Sequence, residues 1–331
     1  MAKSRIRIGL TIPNRGPLIY PNKISTDLLI ELAVKGEVYG FHSVWVGDSI
    51  MAKPRLEPTT LLAAMAAKTS TVKLGVACMS SFPLRHPILT ALTWATLDQI
   101  SKGRTILVPC IGGGGGTAGD FLTEYKNMGV EYSKRTKILE ENIDIIKLLW
   151  TQDKVNYDGQ FYKLSDATLE PKPYQKPRPP IWLVSNPHRF KPSDEQLRRG
   201  LRRVARLADG WMTTLLTPDQ FKHGLKIIEE EAEKIGKDPK GLEAALYYNI
   251  NLVEDEEVGF NESKDFLERY YMTNFSRESI NLWVAYGRRE KCLKKLEEFI
   301  EAGARVITLR MTTTRQMEML KRVAQEILPN F

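Results

Sequence analysis

The residues able to do acid–base, nucleophilic or metal chemistry are few in this 331-residue chain, and they are scattered. The four histidines, His42, His86, His188 and His223, lie far apart, and Cys78, Cys110 and Cys292 show neither paired nor metal-ligand spacing. A hydrolytic metal site needs clustered His, Asp and Glu, so no protein-only metal centre is expected. Glycoside hydrolysis needs two carboxylates flanking one bond. Asp48 is the clear carboxylate candidate, with Glu254 and Asp255 further along. Asp48 serves either chemistry or a turn. Cys78 is a possible nucleophile, but its apolar flanks read better as a small buried residue. The stretch ILVPCIGGGGG, residues 106–116, is an apolar run followed by five glycines. No Lys-Ser or Lys-Thr follows, which excludes a triphosphate loop, and G-x-G-x-x-G is met only because glycine fills the run. A flexible loop and a strand end facing a ligand are the two readings left; strand ends are where sites are generally found.

The elements that must position these residues follow from hydrophobic periodicity. Strand patterns fall at residues 7–12, 41–46, 72–79, 104–111, 181–184, 209–212, 242–253 and 305–309. Helical patterns separate them at 24–39, 58–68, 87–100, 132–150, 218–235, 263–271 and 290–302, with a closing helix at 316–328. An arginine-rich helix ends at Leu207, a polar hairpin turns at Asp158-Gly159, and 277–287 has no firm period. Eight apolar strands alternating with helices predict a parallel, closed (β/α)8 barrel, with residues 1–331 as one domain and insertions in the loops at its C-terminal face. An open doubly wound sheet would need a dinucleotide fingerprint after the first strand, and LTIPNRG is not one.

A 42% apolar fraction supplies a core, and 27% charged residues argue against disorder. No stretch is long enough to span a bilayer, and MAKSRIRIGL lacks a signal-peptide core, so a soluble cytoplasmic protein without a membrane partner is expected. The formal charge of +8 suits anionic ligands, but no nucleic-acid-binding module is present, so no nucleic-acid partner is expected. Arg199, Arg202, Arg203 and Arg206 share a helix face, read as solvated or subunit-facing in preference to phosphate-binding.

In such a barrel the site lies at the C-terminal strand ends. That rule selects Pro13 and Asn14; Trp45, Gly47 and Asp48; Cys78, Met79 and Ser80; Gly112 and Gly113; Ser185 and Asn186; Met212 and Thr213; Asn249 and Asn251; Thr308 and Arg310. His86 and His188 lie within reach of the same face. A mouth of glycine, small hydroxyls, Asn, Met and Trp binds a flat, partly apolar molecule and leaves the chemistry to it, which points to a redox cofactor. Arg15, Arg85 and Arg310 are candidates for an anionic substrate or cofactor tail.

These residues carry a family resemblance. The segments AVKGEVYGFHSVWVGDS (33–49), EPTTLLAAMAAKTSTVKLGV (57–76), RHPILTALTWATLDQISKGRTILVPCIGGG (85–114), MGVEYSKRTKILEENIDIIKLLW (128–150), YDGQFYKLSDATLEPKPYQKPRPPIWLVSN (157–186), RVARLADGW (203–211) and GARVITL (303–309) resemble, in order and spacing, the bacterial-luciferase-like oxidoreductases. That family includes FMN monooxygenases and enzymes using the deazaflavin coenzyme F420. The resemblance implies a ring in the barrel mouth over a cis, non-proline peptide near Ala77, Cys78 and Met79. It implies a phosphate held near Ser185 and Asn186, with Met212 and Thr213, and the glycines after the fourth strand beside the cofactor. Where many members have Asp-His after the second strand, this chain has Asp48-Ser49, leaving His86 or His188 to substitute. The resemblance implies as its leading reading an FMN-dependent monooxygenase acting on a small substrate with reduced flavin and O2, served by a separate flavin reductase. An F420-dependent reductase or dehydrogenase is the alternative, and a non-catalytic flavin-binding or subunit-partner protein a third. A homodimer is implied in each case.

Overall fold

Short apolar strands and capped helices alternate along the chain. A computed structural model describes residues 6–113, 119–186 and 193–331. The strands are β1 (Arg7–Thr11), β2 (Ser43–Val46), β3 (Lys73–Val76), β4 (Thr105–Ile106), β5 (Val155–Asp158), β6 (Lys163–Ala167), β7 (Trp182–Val184), β8 (Gly210–Thr213), β9 (Glu243–Leu252), β10 (Val284–Gly287) and β11 (Val306–Met311). The helices are α1 (Gly16–Ile19), α2 (Thr26–Val38), α3 (Pro58–Lys68), α4 (Pro87–Ser101), α5 (Phe121–Asn127), α6 (Arg135–Thr151), α7 (Asp194–Leu207), α8 (Pro218–Glu233), α9 (Glu256–Tyr271), α10 (Arg277–Trp283), α11 (Arg289–Glu301) and α12 (Gln316–Glu326).

Parallel pairing runs in the order β4-β3-β2-β1-β11-β9-β8-β7. The ring closes where Leu107 meets Ile181: Leu107 N–H donates to Pro180 O at 3.0 Å, and Trp182 N–H donates to Leu107 O at 2.8 Å. This is the expected (β/α)8 barrel. The predicted fourth strand, 104–111, keeps only two ladder residues plus bridges at Leu107 and Pro109. Pro109 has no N–H to give, and that interrupts the ladder.

Two insertions lie at the C-terminal face, as expected, while the β5–β6 hairpin sits in the connection from α6 to β7. One, between β4 and α6, carries α5; another, after β9, carries α9, α10 and β10. Helix α9 begins seven residues before the predicted start at 263. Asp255 caps it by accepting from Glu257 N–H (2.8 Å) and Val258 N–H (3.1 Å), and Gly259 and Asn261 obscure the period of its first turns. The unassigned stretch 277–287 folds as α10 and β10. At Asn249 and Ile250 one edge of β9 is held by β11, so β10 takes the other, beyond the end of β8.

Inside the barrel, Trp45, Ile106, Val108, Trp182, Met212, Ala245 and Val306 form one buried layer. The Trp45 and Trp182 rings lie 5.4 Å apart, and Trp45 Nε1–H donates to Ser43 Oγ at 2.8 Å. These rings require glycine opposite them. A Cβ on Gly75 would overlap Trp45, and one on Gly210 would sit 2.5 Å from Trp182. A larger core packs the outer faces of the strands against the helices.

Arg199 of α7 is exposed, as the solvated reading expects, whereas the other α7 arginines pair with neighbouring helices. Arg198 pairs with Glu230 of α8 at 2.9 Å, Arg202 with Glu231 at 2.6 Å and Arg203 with Glu140 of α6 at 2.7 Å; Arg206 also pairs with Glu140. No helix among the described residues is long and apolar enough to cross a membrane.

Gly75→Ala should destabilise the fold by about 1–3 kcal/mol through overpacking against Trp45. Urea denaturation would measure this, and a wild-type midpoint would refute the account of the tryptophan layer.

Candidate active site

Beyond β1 and β2 the polar side chains hold loops in place. Asn14 is fully buried: its Nδ2 donates to Gly47 O (2.8 Å) and Leu56 O (3.0 Å), and its Oδ1 accepts from Gly47 N–H (3.1 Å) and the Tyr270 hydroxyl (3.2 Å). Asp48 Oδ2 accepts from Ser81 N–H at 2.7 Å, and its Oδ1 lies 3.4 Å from Arg85 Nη2. Burial pushes the Asp48 carboxyl up, against the opposing pull of Arg85 and the Ser81 N–H. Arg85 also reaches Glu57 at 3.1 Å. Ser49, at the position where the resemblance implies histidine, accepts from Lys53 N–H and donates to Glu124. The buried Glu124 Oε2 also accepts from Met51 N–H (2.5 Å) and Ala52 N–H (2.6 Å), so α5 fixes the loop after β2.

The open part of the mouth lies at the ends of β3, β4, β7 and β8. Ala77, Cys78, Cys110, Gly112, Gly113, Val184, Ser185, Asn186 and Thr214 are half-buried there. Ala77, Cys78 and Val184 pack directly on the tryptophan layer, making a floor of small side chains. The Ala77–Cys78 peptide is cis, at the place the resemblance indicates. Cys78 is half-buried, not fully buried as its flanks suggest. Its hydrogen bond with the Cys110 thiol, together with burial, pushes the Cys78 thiol well up, so it stays protonated at neutral pH and is a poor nucleophile. Asn186 Oδ1 accepts from the Thr213 hydroxyl (3.0 Å) and Thr214 N–H (3.2 Å). Its Nδ2 makes no hydrogen bond among the described residues.

The structure therefore brings Ala77, Cys78, Gly112, Gly113, Ser185 and Asn186 together on one rim, with Thr213 buried behind Asn186. Trp45 and Met212 lie one layer below. Met79 packs outward into the main core, and the Ser80 hydroxyl donates to Asp48 O at 2.6 Å. His86 caps α4, its Nδ1 accepting from Ile88 N–H at 3.3 Å, and its ring meets Tyr162 edge-on; Arg85, not His86, faces Asp48. His188 lies outside the described residues. No cluster of three or more His, Cys, Asp or Glu able to hold a metal occurs among the described residues.

Sequence reasoning missed Cys110 as a rim residue, Glu124 as the anchor of the β2 loop, and a tyrosine wall opposite the rim. That wall is Tyr247 on β9 with Tyr270 and Tyr271 at the end of α9; Tyr247 and Tyr271 share a hydroxyl contact of 2.9 Å. The doublets Tyr247-Tyr248 and Tyr270-Tyr271 were the only signal.

The rim fits a planar, phosphate-bearing redox cofactor. Small side chains over a flat apolar layer leave room for a ring, and Asn186 Nδ2 beside small hydroxyls offers a donor to an oxyanion. A barrel with this mouth defines a cofactor-dependent oxidoreductase. Residues 6–302 match the luciferase-like monooxygenase family, and the chain belongs to it. It is 24% identical over 326 residues to F420-dependent glucose-6-phosphate dehydrogenase of Amycolatopsis mediterranei (strain U-32), covering 91% of this chain and 93% of that protein. It is 33% identical over 171 residues to the oxygenase component of flavin-dependent trigonelline monooxygenase of Acinetobacter baylyi (strain ATCC 33305 / BD413 / ADP1), covering 50% of this chain and 45% of that protein. Its fold is shared with the monooxygenase RslO1 of Streptomyces bottropensis, at a TM-score of 0.80 and 19% identity over 98% of this chain and 99% of that one. The chain is thus an enzyme of a flavin- or F420-linked oxidoreductase family.

Asp48→Ala should cost about 1–3 kcal/mol by leaving the Ser81 N–H and Arg85 without their acceptor, and Asp48→Asn should cost less because it keeps an acceptor. Equal losses for the two, in urea denaturation, would show that Arg85 pairing matters more than the Ser81 bond.

Proposed function

We propose that this chain is an F420-dependent oxidoreductase that moves a hydride between the cofactor and a carbon of a small organic substrate. The observation that carries this reading is coverage. Similarity to the F420-dependent dehydrogenase runs over 91% of the chain, whereas similarity to the flavin monooxygenase component covers 50%.

The composition of the mouth supports it. Asp48 is engaged with Ser81 and Arg85, the Cys78 thiol is held protonated, and the rest of the rim among the described residues is Ala77, Val184 and Cys110 with amide, hydroxyl and glycine. Such a surface orients a reactive group and excludes water in place of moving protons itself. Bound F420 would supply the hydride chemistry at its ring. Ala77, Cys78 and Val184 would floor that ring, with Trp45 and Trp182 packed beneath them. Asn186 Nδ2 and the Ser185 hydroxyl would hold its phosphate. A second reading, an FMN monooxygenase served by a separate reductase, is favoured by the higher identity, 33%, of the partial match.

The test is a titration of the purified protein with F420 and with FMN, followed by ligand absorbance and fluorescence. Tight binding of F420, weakened tenfold or more by Asn186→Ala, is the expected result. Binding of FMN alone would replace this reading with the second, and binding of neither would remove both.

A further inference from the structure

We propose that Arg310 receives an anionic group, a carboxylate or a phosphate, carried by the substrate. Arg310 lies near the top of β11 and is 1% exposed. Its Nη1 donates to the Tyr271 hydroxyl at 2.7 Å. The guanidinium carbon lies 4.0 Å from the Tyr270 ring centroid, 5.1 Å from that of Tyr247 and 5.5 Å from that of Tyr271. Its Nε is buried without an acceptor, and Nη2 makes no hydrogen bond among the described residues. No carboxylate pairs with it among those residues.

This is an unusual position for a buried cation. Burying a charge without a hydrogen-bonded counter-ion is costly. The tyrosine rings offset part of that cost through cation–π attraction. Ring attraction does not take the place of a hydrogen-bond acceptor, and the edge formed by Nε and Nη2 carries two donors that no acceptor among the described residues receives. This edge matches the two oxygens of a carboxylate or phosphate, which an arginine fork binds in a bidentate manner.

The other two arginines singled out near the mouth are committed. Arg15 donates to Pro54 O (3.0 Å), Arg269 O (3.2 Å) and Tyr270 O (2.7 Å), and Arg85 pairs with Asp48 and Glu57. Placement gives the role. In the ring of eight strands β11 lies opposite β4, and β9 lies opposite β3. Arg310 and Tyr247 therefore stand across the mouth from Cys110 and Cys78. On the reading that the rim holds the cofactor, an anion anchored at Arg310 leaves the rest of its molecule extending toward that rim.

The experiment titrates inorganic phosphate, and separately malonate, into the purified cofactor-free chain at ionic strength held constant with chloride. Calorimetry and intrinsic fluorescence report binding. The expected result is saturable one-site binding of at least one probe, weakened at least tenfold in Arg310→Met and at least threefold in Arg310→Lys, which keeps the charge but loses the fork. Absence of saturation by both probes in the wild type would overturn the proposal. So would unchanged affinity in Arg310→Lys, or in an Arg310→Met variant with wild-type circular dichroism. Displacement of bound F420 or FMN by either probe would assign the arginine to the cofactor's own anion and end the substrate assignment. Because the titration uses no cofactor, a failure of F420 and FMN to bind leaves its result readable.

Discussion

Two tryptophan rings laid across the inside of the barrel set the height of everything above them. Trp45 and Trp182 fill the interior from β2 and β7, and the neighbouring strands β3 and β8 accept this only by carrying Gly75 and Gly210. The pair fills the barrel interior with side chains and sets the level at which its mouth begins. Small residues, Ala77, Cys78 and Val184, then form the surface on which a ligand rests. A bulky side chain at any of these three would raise that surface into the mouth.

Around this base the polar residues divide into two kinds. Asn14, Asp48, Ser49, Arg85 and the Oε2 of Glu124 direct their hydrogen bonds to backbone and to neighbouring side chains, fixing the loops after β1 and β2. Asn186 Nδ2 and the Nε edge of Arg310 keep donors without acceptors among the described residues. The first kind makes the mouth rigid, and the second marks where it is incomplete without a ligand. A family member with few titratable groups free among the described residues of its mouth depends on its cofactor for electrons and on geometry for selectivity.

The barrel was legible because it rests on period and order, which a single sequence displays. All eight barrel strands and the helices between them fall where hydrophobic alternation puts them. What escaped was local or dispersed. Strand β10 is four residues long and takes its place only from the free edge of β9, which no periodicity reports. The early turns of α9 were masked by Gly259 and Asn261, although the Asp255 cap and the acidic first turn were readable. Strand-end logic found the rim residues but could not tell which side chains point inward: Met79 turns out to the core, and Trp45 lies beneath the surface it was expected to line. His86 looked catalytic by type and serves as a helix cap. The tyrosine wall around Arg310 joins residues from β9, α9 and β11, separated by more than twenty positions, so only the folded chain assembles it.

The rim of the barrel is not level. Strand β9 runs ten residues, whereas β8 stops after four, and β10 extends the sheet alongside the surplus. At about 3.3 Å per residue, one wall rises roughly 20 Å above its neighbour. The tall wall is held by backbone hydrogen bonds to β11 along one edge and to β10 along the upper part of the other. It acts as a bracket: sequence change on its inward face alters which groups are presented while their positions stay fixed.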